Sequence, residues 1–141
     1  MIRRATLHDA ASIHALERSG ADRPWRVESI TEHLALGTTR GWVAEDTEVL
    51  AHILTSHVLD EAEVLTIVVS PHHRRQGHGA DLLRAAIAYW RRTSVSRAHL
   101  EVREDNVAAR ALYESLGWQP TGLRPRYYGA DVDAILYGWT P

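Results

Sequence analysis

Val64-Leu65-Thr66-Ile67-Val68-Val69-Ser70-Pro71-His72-His73-Arg74-Arg75-Gln76-Gly77-His78-Gly79 is the stretch on which the reading of this chain turns. Its first seven residues are almost continuously apolar, the pattern expected of a strand buried on both faces. Pro71 stops the strand, and a Gly-x-Gly turn then feeds Ala80-Asp81-Leu82-Leu83-Arg84-Ala85-Ala86-Ile87. Leu83, Ala86, Ile87 and Trp90 recur at helical spacing, so a helix is expected to about Trp90. The start of a helix carries unsatisfied N–H groups and a partial positive charge of roughly half an elementary unit. Two glycines there let the backbone close on an anion without a Cβ in the way, and the flanking arginines add charge. The chemistry this suits is a diphosphate.

Three phosphate loops compete for that reading. A P-loop needs Lys and then Ser/Thr after its last glycine, where this chain has Ala80-Asp81. A dinucleotide fingerprint needs a third glycine where Leu82 stands. What remains is Arg74-x-x-Gly77-x-Gly79, with an arginine-rich turn that holds no ligand as the plain alternative.

A second informative passage runs Leu100-Glu101-Val102-Arg103-Glu104-Asp105-Asn106 into Val107-Ala108-Ala109-Arg110-Ala111-Leu112-Tyr113-Glu114-Ser115-Leu116-Gly117. Residues 98–103 alternate as a strand, with Leu100 and Val102 on one face and His99, Glu101 and Arg103 on the other. Asp105 or Asn106 can cap the helix that follows, and Gly117 is placed to end it. Asn106 and Tyr113 are two turns apart and share a face. Val107, Ala108, Ala111, Leu112 and Leu116 form an opposite stripe, expected to seek the core. Tyr113 is then expected to project away from it.

The loop Arg74-x-x-Gly77-x-Gly79 resembles the acetyl-CoA pyrophosphate loop of the GNAT superfamily of N-acetyltransferases. Leu-Glu-Val-Arg-x-x-Asn, Ala-Leu-Tyr-Glu-Ser-Leu-Gly and Arg126-Tyr127-Tyr128 resemble its RimI branch, the ribosomal-protein-alanine N-acetyltransferases. The likeness extends from Pro24-Trp25 through Val58-Leu59-Asp60-Glu61-Ala62 to Asp133-Ala134-Ile135, nearly the whole chain. It implies an acyltransferase that uses acetyl-CoA as cosubstrate and acetylates a protein N-terminus, specifically the alanine of a small-subunit ribosomal protein. Other acceptors in the same frame are a small-molecule amine or a lysine side chain. A non-catalytic acyl-CoA-binding module is the reading from another class.

The resemblance also assigns residues. Glu101 becomes the candidate base, acting through water, and Tyr113 the candidate acid for the departing sulfur. Ile67, Val68 and Val69 would offer backbone groups to the pantetheine arm, with an N–H near Val69 polarising the thioester carbonyl. Arg74, Arg75, Gln76, Gly77, His78, Gly79 and Ala80 would hold the phosphates, and Asn106 would contact the cofactor arm. Trp25, Tyr127 and Tyr128 would clamp the acceptor peptide. The plain alternatives are a solvated strand carboxylate for Glu101, a packing ring for Tyr113, a simple N-cap for Asn106 and surface aromatics for the clamp. Arg23 before Pro24-Trp25, Ser70 before Pro71 and Val132 before Asp133 depart from the branch's pattern, mostly on the acceptor side.

Composition fits that frame. One domain over residues 1–141 is expected, with an apolar fraction of 45% able to supply a core. Net charge is −2 with no basic block, so nucleic acid is not expected as a direct partner. All sixteen basic residues are arginine, and there is no cysteine. That excludes disulfides and thiolate zinc sites, and no His-Glu-x-x-His spacing suggests a metal. Met1-Ile2-Arg3-Arg4 has no apolar run behind it and no stretch approaches membrane-spanning length, so a cytoplasmic location is expected. The elements read in order as β-α-α-β-β-β-α-β-α-β-β. That order predicts an α/β (α+β type) GNAT fold, a mixed sheet of about seven strands flanked by four helices.

Overall fold

The computed structural model describes residues 1–127 and 131–141. Its elements are β1 (Ile2–Arg4), α1 (Ala10–Gly20), α2 (Val27–Ala35), β2 (Thr39–Glu45), β3 (Val49–Val58) and β4 (Glu61–Val69). They continue with α3 (His78–Arg91), β5 (Arg97–Arg103), α4 (Val107–Ser115), β6 (Gln119–Arg124) and β7 (Ala134–Trp139). The expected order of elements is the observed one. The seven strands form one mixed sheet in the order β1-β2-β3-β4-β5-β7-β6. Every neighbouring pair is antiparallel except β4 and β5.

The sheet is covered on both faces. On one, α3 buries Leu82, Leu83, Ala86, Ile87 and Trp90 against Trp42, Ile53, Val64 and Leu100. On the other, α1 and α2 bury Ala10, Ile13 and Ile30 against Val43 and Leu54. Trp90 anchors the larger core, its ring centroid 5.5 Å from Trp139 and 6.0 Å from Trp118. Such ring pairs stabilise beyond the area they bury.

Two expectations are corrected at this level. β4 is not buried on both faces along its length: Ala62, Val64 and Val68 are buried, whereas Leu65, Thr66 and Ile67 are half-buried. Its apolar run reflects a β-bulge. Leu54 pairs with Thr66 but Thr55 pairs with Val64, leaving Leu65 as the extra residue. A bulge shifts the inward–outward alternation by one residue and bends the strand. Leu65 thus packs on the core beneath α1 and α2, while Ile67 and Val69 pack beneath α3. The turn before β4 is tight, because β3 runs to Val58 and β4 starts at Glu61. Leu59 carries it at φ 55°.

The second correction concerns α4. Tyr113 is its one buried residue, while Val107, Ala108 and Ala111 are exposed and Leu112 and Leu116 half-buried. The helix lays its tyrosine face, not its alanine stripe, on the molecule.

The amino end is tied down by charge. Arg3 donates from Nη1 to Asp9 Oδ2 at 2.9 Å, from Nη2 to Asp9 Oδ1 at 2.8 Å and from Nε to Glu45 Oε1 at 2.9 Å. Asp9 Oδ2 also accepts the Thr6 N–H at 2.8 Å. The Arg3 bonds, against an opposing push from burial, hold the Asp9 carboxyl below its ordinary 3.8. A carboxyl lowered in the folded state stabilises above its unfolded pKa, and that contribution is lost as pH falls through the folded value. Asp9→Asn is expected to cost about 1.5–3 kcal/mol at pH 7, the range for hydrogen bonds to a charged group. In urea titrations the gap from the unsubstituted protein should be full at pH 7 and shrink as pH drops below the ordinary carboxyl value.

Candidate functional site

Only three residue pairs join β4 to β5: Glu61 with Arg97, Ala62 with Ala98 and Glu63 with His99. Beyond Glu63 the bulged β4 bends away, and β5 continues alongside β7 instead. The parting opens a cleft of about 560 Å³ through the middle of the sheet. Residues 63–68 line one wall and residues 100–103 the other. Asn106 and Tyr113 of α4, the 20–25 loop, Arg124 and Tyr127 complete it. Among the described residues, the side of β4 that faces the cleft has no neighbouring strand past Glu63, so its peptide groups there are open to an extended ligand.

The cleft brings together Glu101, Tyr113, Ile67, Val68, Asn106, Trp25 and Tyr127 from the expected set. Tyr128 lies outside the described residues. Val69 and residues 74–80 do not line this cavity; they follow β4 into the start of α3, at the cleft's end.

Each side chain is placed by its element. The Glu101 side chain, a quarter exposed, points off β5 with its Oε1 3.2 Å from Arg124 Nη2. Arg124 in turn lies over the Tyr127 ring at 5.5 Å, and Arg23 covers that ring at 4.7 Å. The Arg23 guanidinium also donates to the Tyr127 carbonyl. Arg103 reaches from the end of β5 to Asp22 at 3.5 Å and Asp105 at 2.9 Å. This end of the cleft is therefore rimmed by cations and carboxylates around Tyr127. Arg23, which departs from the apolar residue of the RimI pattern, supplies one of those cations.

Tyr113 is 5% exposed and packs its ring 5.9 Å from Tyr137 and 6.3 Å from Trp118. Tyr137 is itself fixed, donating to Glu114 Oε2 at 2.6 Å and accepting from Arg110 Nε at 3.2 Å. Burial first, then the Glu114 bond, raise the Tyr137 phenol above its ordinary 10. The expectation that Tyr113 leaves the core is corrected: it is core and cleft wall at once. Asn106 caps α4, its Oδ1 accepting the Ala109 N–H at 3.1 Å. The simple cap is thus present, on a residue that also faces the cleft.

The glycine loop divides its labour. Gly77 adopts φ 86° as the N-cap of α3, and Arg75 is also left-handed at φ 63°. The first bond of the helix runs from the Asp81 N–H to the Gly77 carbonyl. The amides of His78, Gly79 and Ala80 therefore have no helical acceptor and point out of the helix start. Gly79 serves packing instead: a Cβ there would stand 3.3 Å from Leu112 and 3.8 Å from Val69. Gly77 is thus required by its left-handed backbone and Gly79 by its close approach to Leu112. Arg74 folds back toward α1, where a Cβ on Gly20 would meet its Nη2 at 2.9 Å. His78 Nε2 lies 3.2 Å from Gln76 Oε1.

With this geometry the comparisons agree. The acetyltransferase (GNAT) family model matches residues 8–118. The chain belongs to the GNAT family. It is 32% identical over 120 residues to the [ribosomal protein bS18]-alanine N-acetyltransferase of Escherichia coli K12, covering 85% of this chain and 81% of that one. The same-named protein of Haemophilus ducreyi is 27% identical over 140 residues, with 96% and 97% covered. The crystal structure of the Escherichia coli ribosomal-protein-S18-alanine N-acetyltransferase superposes with a TM-score of 0.90 at 30% identity, covering 99% of this chain and 94% of that one. This GNAT chain is accordingly an acyltransferase that uses acetyl-CoA.

Sequence reasoning missed Arg124 as the partner of Glu101, and it missed a buried carboxylate, Glu17. The latter had a signal. Glu17 continues the inward stripe of Ala10 and Ile13 at helical spacing, so it falls where α1 meets the sheet.

Left-handed backbone at a residue with a Cβ costs roughly 1–2 kcal/mol. Gly77→Ala should therefore weaken acetyl-CoA binding by about tenfold in titration calorimetry, as the bend relaxes and its amides turn aside. Thr121→Ala, on an edge strand outside the cleft, should leave that affinity unchanged.

Proposed function

We propose that this GNAT enzyme transfers the acetyl group of acetyl-CoA to the N-terminal α-amine of a protein, a ribosomal protein beginning with alanine, by direct transfer. The observation that carries this reading is the single cleft shared by an open β4 edge, Glu101, Tyr113 and the Trp25–Tyr127 aromatic wall. The names of the relatives support the acceptor class.

In this reading the amides at the start of α3 and Arg74, Arg75, Gln76 and His78 hold the two phosphates. The edge of β4 over Ile67, Val68 and Val69 binds the pantetheine amides as an added strand would. Asn106 lies where the arm leaves the phosphates. An α-amine titrates near 8, so a carboxylate acting through water suffices to remove its proton, and Glu101 takes that role. The freed nitrogen attacks the thioester carbon, whose oxygen meets a β4 backbone N–H near Val69. The C–S bond breaks as the C–N bond forms, the Tyr113 hydroxyl gives its proton to the departing sulfur, and the second proton shed by the amide nitrogen restores the phenol through water. Trp25 and Tyr127, with Tyr128 assigned to the same clamp, confine the first residue. The reaction is assigned to the cytoplasm, where ribosomal proteins are made; no described helix is long and apolar enough to cross a membrane.

Removing a positioned proton donor costs typically 10²–10⁴-fold in rate. Tyr113→Phe should lower kcat by at least about 10²-fold with acetyl-CoA affinity within twofold of the unsubstituted enzyme. Unchanged turnover would remove Tyr113 from the role. A peptide pair with the same ribosomal amino-terminal sequence, one free and one blocked at the α-amine, tests the acceptor by mass spectrometry. The free peptide alone should gain the acetyl mass, whereas equal labelling of both would move the reaction to a side chain.

A further inference from the structure

Glu17 is fully buried on α1, and its carboxylate accepts from three directions. His52 Nε2 of β3 lies 2.8 Å from Oε2, the Thr66 hydroxyl of β4 donates to Oε2 at 2.9 Å, and the Trp25 N–H donates to Oε1 at 3.2 Å. Burial alone pushes a carboxyl upward; here the bonds and charge from His52, with Thr66 and the Trp25 amide, outweigh it and hold Glu17 below its ordinary value. A carboxylate taken out of water survives only when its oxygens are matched in this way.

What the three donors belong to gives the network its meaning. Trp25 and Thr66 line the cleft from different elements, the 20–25 loop and β4. The loop is held at its other peptide group as well, the Trp25 carbonyl lying 3.0 Å from His14 Nδ1, one turn before Glu17 on α1. Thr66 reaches Glu17 only because the bulge at Leu65 shifts the alternation and turns its hydroxyl toward α1. His52 Nδ1 is buried with no partner among the described residues, so this imidazole serves the carboxylate alone.

We propose that Glu17 is a positioning residue for the acceptor: it clamps the Trp25 loop to the bulge of β4 and so sets the width of the pocket for the first residue. This rests on the acceptor end of the cleft being the one read above. No hydrogen bond of the network goes to a residue assigned to the acetyl donor, so its loss should weigh on the acceptor more than on the donor. It should also admit larger first residues.

The test uses Thr66→Val, which removes one donor and leaves the carboxylate with two, beside Glu17→Gln and the rescue variant Thr66→Ser. Hydrogen–deuterium exchange reads the Trp25 amide directly, without substrate. Thr66→Val and Glu17→Gln should speed its exchange about tenfold, with α3 unchanged. In steady-state kinetics Thr66→Val should raise the KM for an alanine-first peptide about three- to tenfold and keep the acetyl-CoA KM within twofold. It should also narrow the preference for alanine over leucine as first residue, and Thr66→Ser should restore all three. Unchanged exchange at Trp25 overturns the clamp, and faster exchange with an unchanged peptide KM overturns its role toward the acceptor. If the unsubstituted enzyme acetylates no free-amine peptide, the functional reading and the acceptor role fall together, while exchange still decides whether Glu17 holds the loop.

Discussion

β4 and β5 are the parallel pair of the sheet, and they stay bonded for only three residue pairs. Two adjacent strands that part inside a sheet leave peptide groups with no neighbour, a costly arrangement unless something polar takes their place. The bulge at Leu65 produces the parting by bending β4, and β7 keeps β5 straight by pairing with it from Ala98 to Arg103. The remaining site residues are reached from the two strands so separated. Glu101 projects from one, Ile67 and Val68 from the other, and α4 follows β5 closely enough to bring Tyr113 over the gap.

Placement of Tyr113 shows how packing and chemistry are joined. Its ring belongs to the aromatic core with Trp118 and Tyr137, and that core is continuous through Trp90 to the centre of the sheet. A side chain held on this scale cannot swing, which fixes the hydroxyl with little entropy left to lose. The Tyr127 end of the cleft follows a different logic. There the groups are half-exposed arginines and carboxylates paired around Tyr127, an arrangement that salt and solvent screen.

Much of this was legible in the residues. The order of elements followed from the period of each apolar run, and the sheet of seven strands from that order. The loop glycines and the Asn106 cap stood out because their types suit a helix start, whereas Glu101 drew its role from the likeness to the RimI branch. β4 was misread because a bulge and two-sided burial both show as lost alternation in one dimension. The α4 face was misread because small alanines look apolar yet bury little area, while one tyrosine outweighs them. Glu17 was passed over as an ordinary helix carboxylate; its three donors come from positions 25, 52 and 66, a convergence that no local pattern encodes.

Gly20 ends α1 with its Cα turned toward Arg74 and Val68. The same short helix that grips the Trp25 loop thus also leaves a notch for the guanidinium of Arg74, from the bend before α3. A methyl group at position 20 would displace that guanidinium on its flexible stem, and Val68 Cγ1, 3.3 Å from such a methyl, would have to give by a few tenths of an ångström. On the function proposed above, the loss would surface as weaker capture of the cofactor's phosphates, so this corner of the molecule bears on affinity.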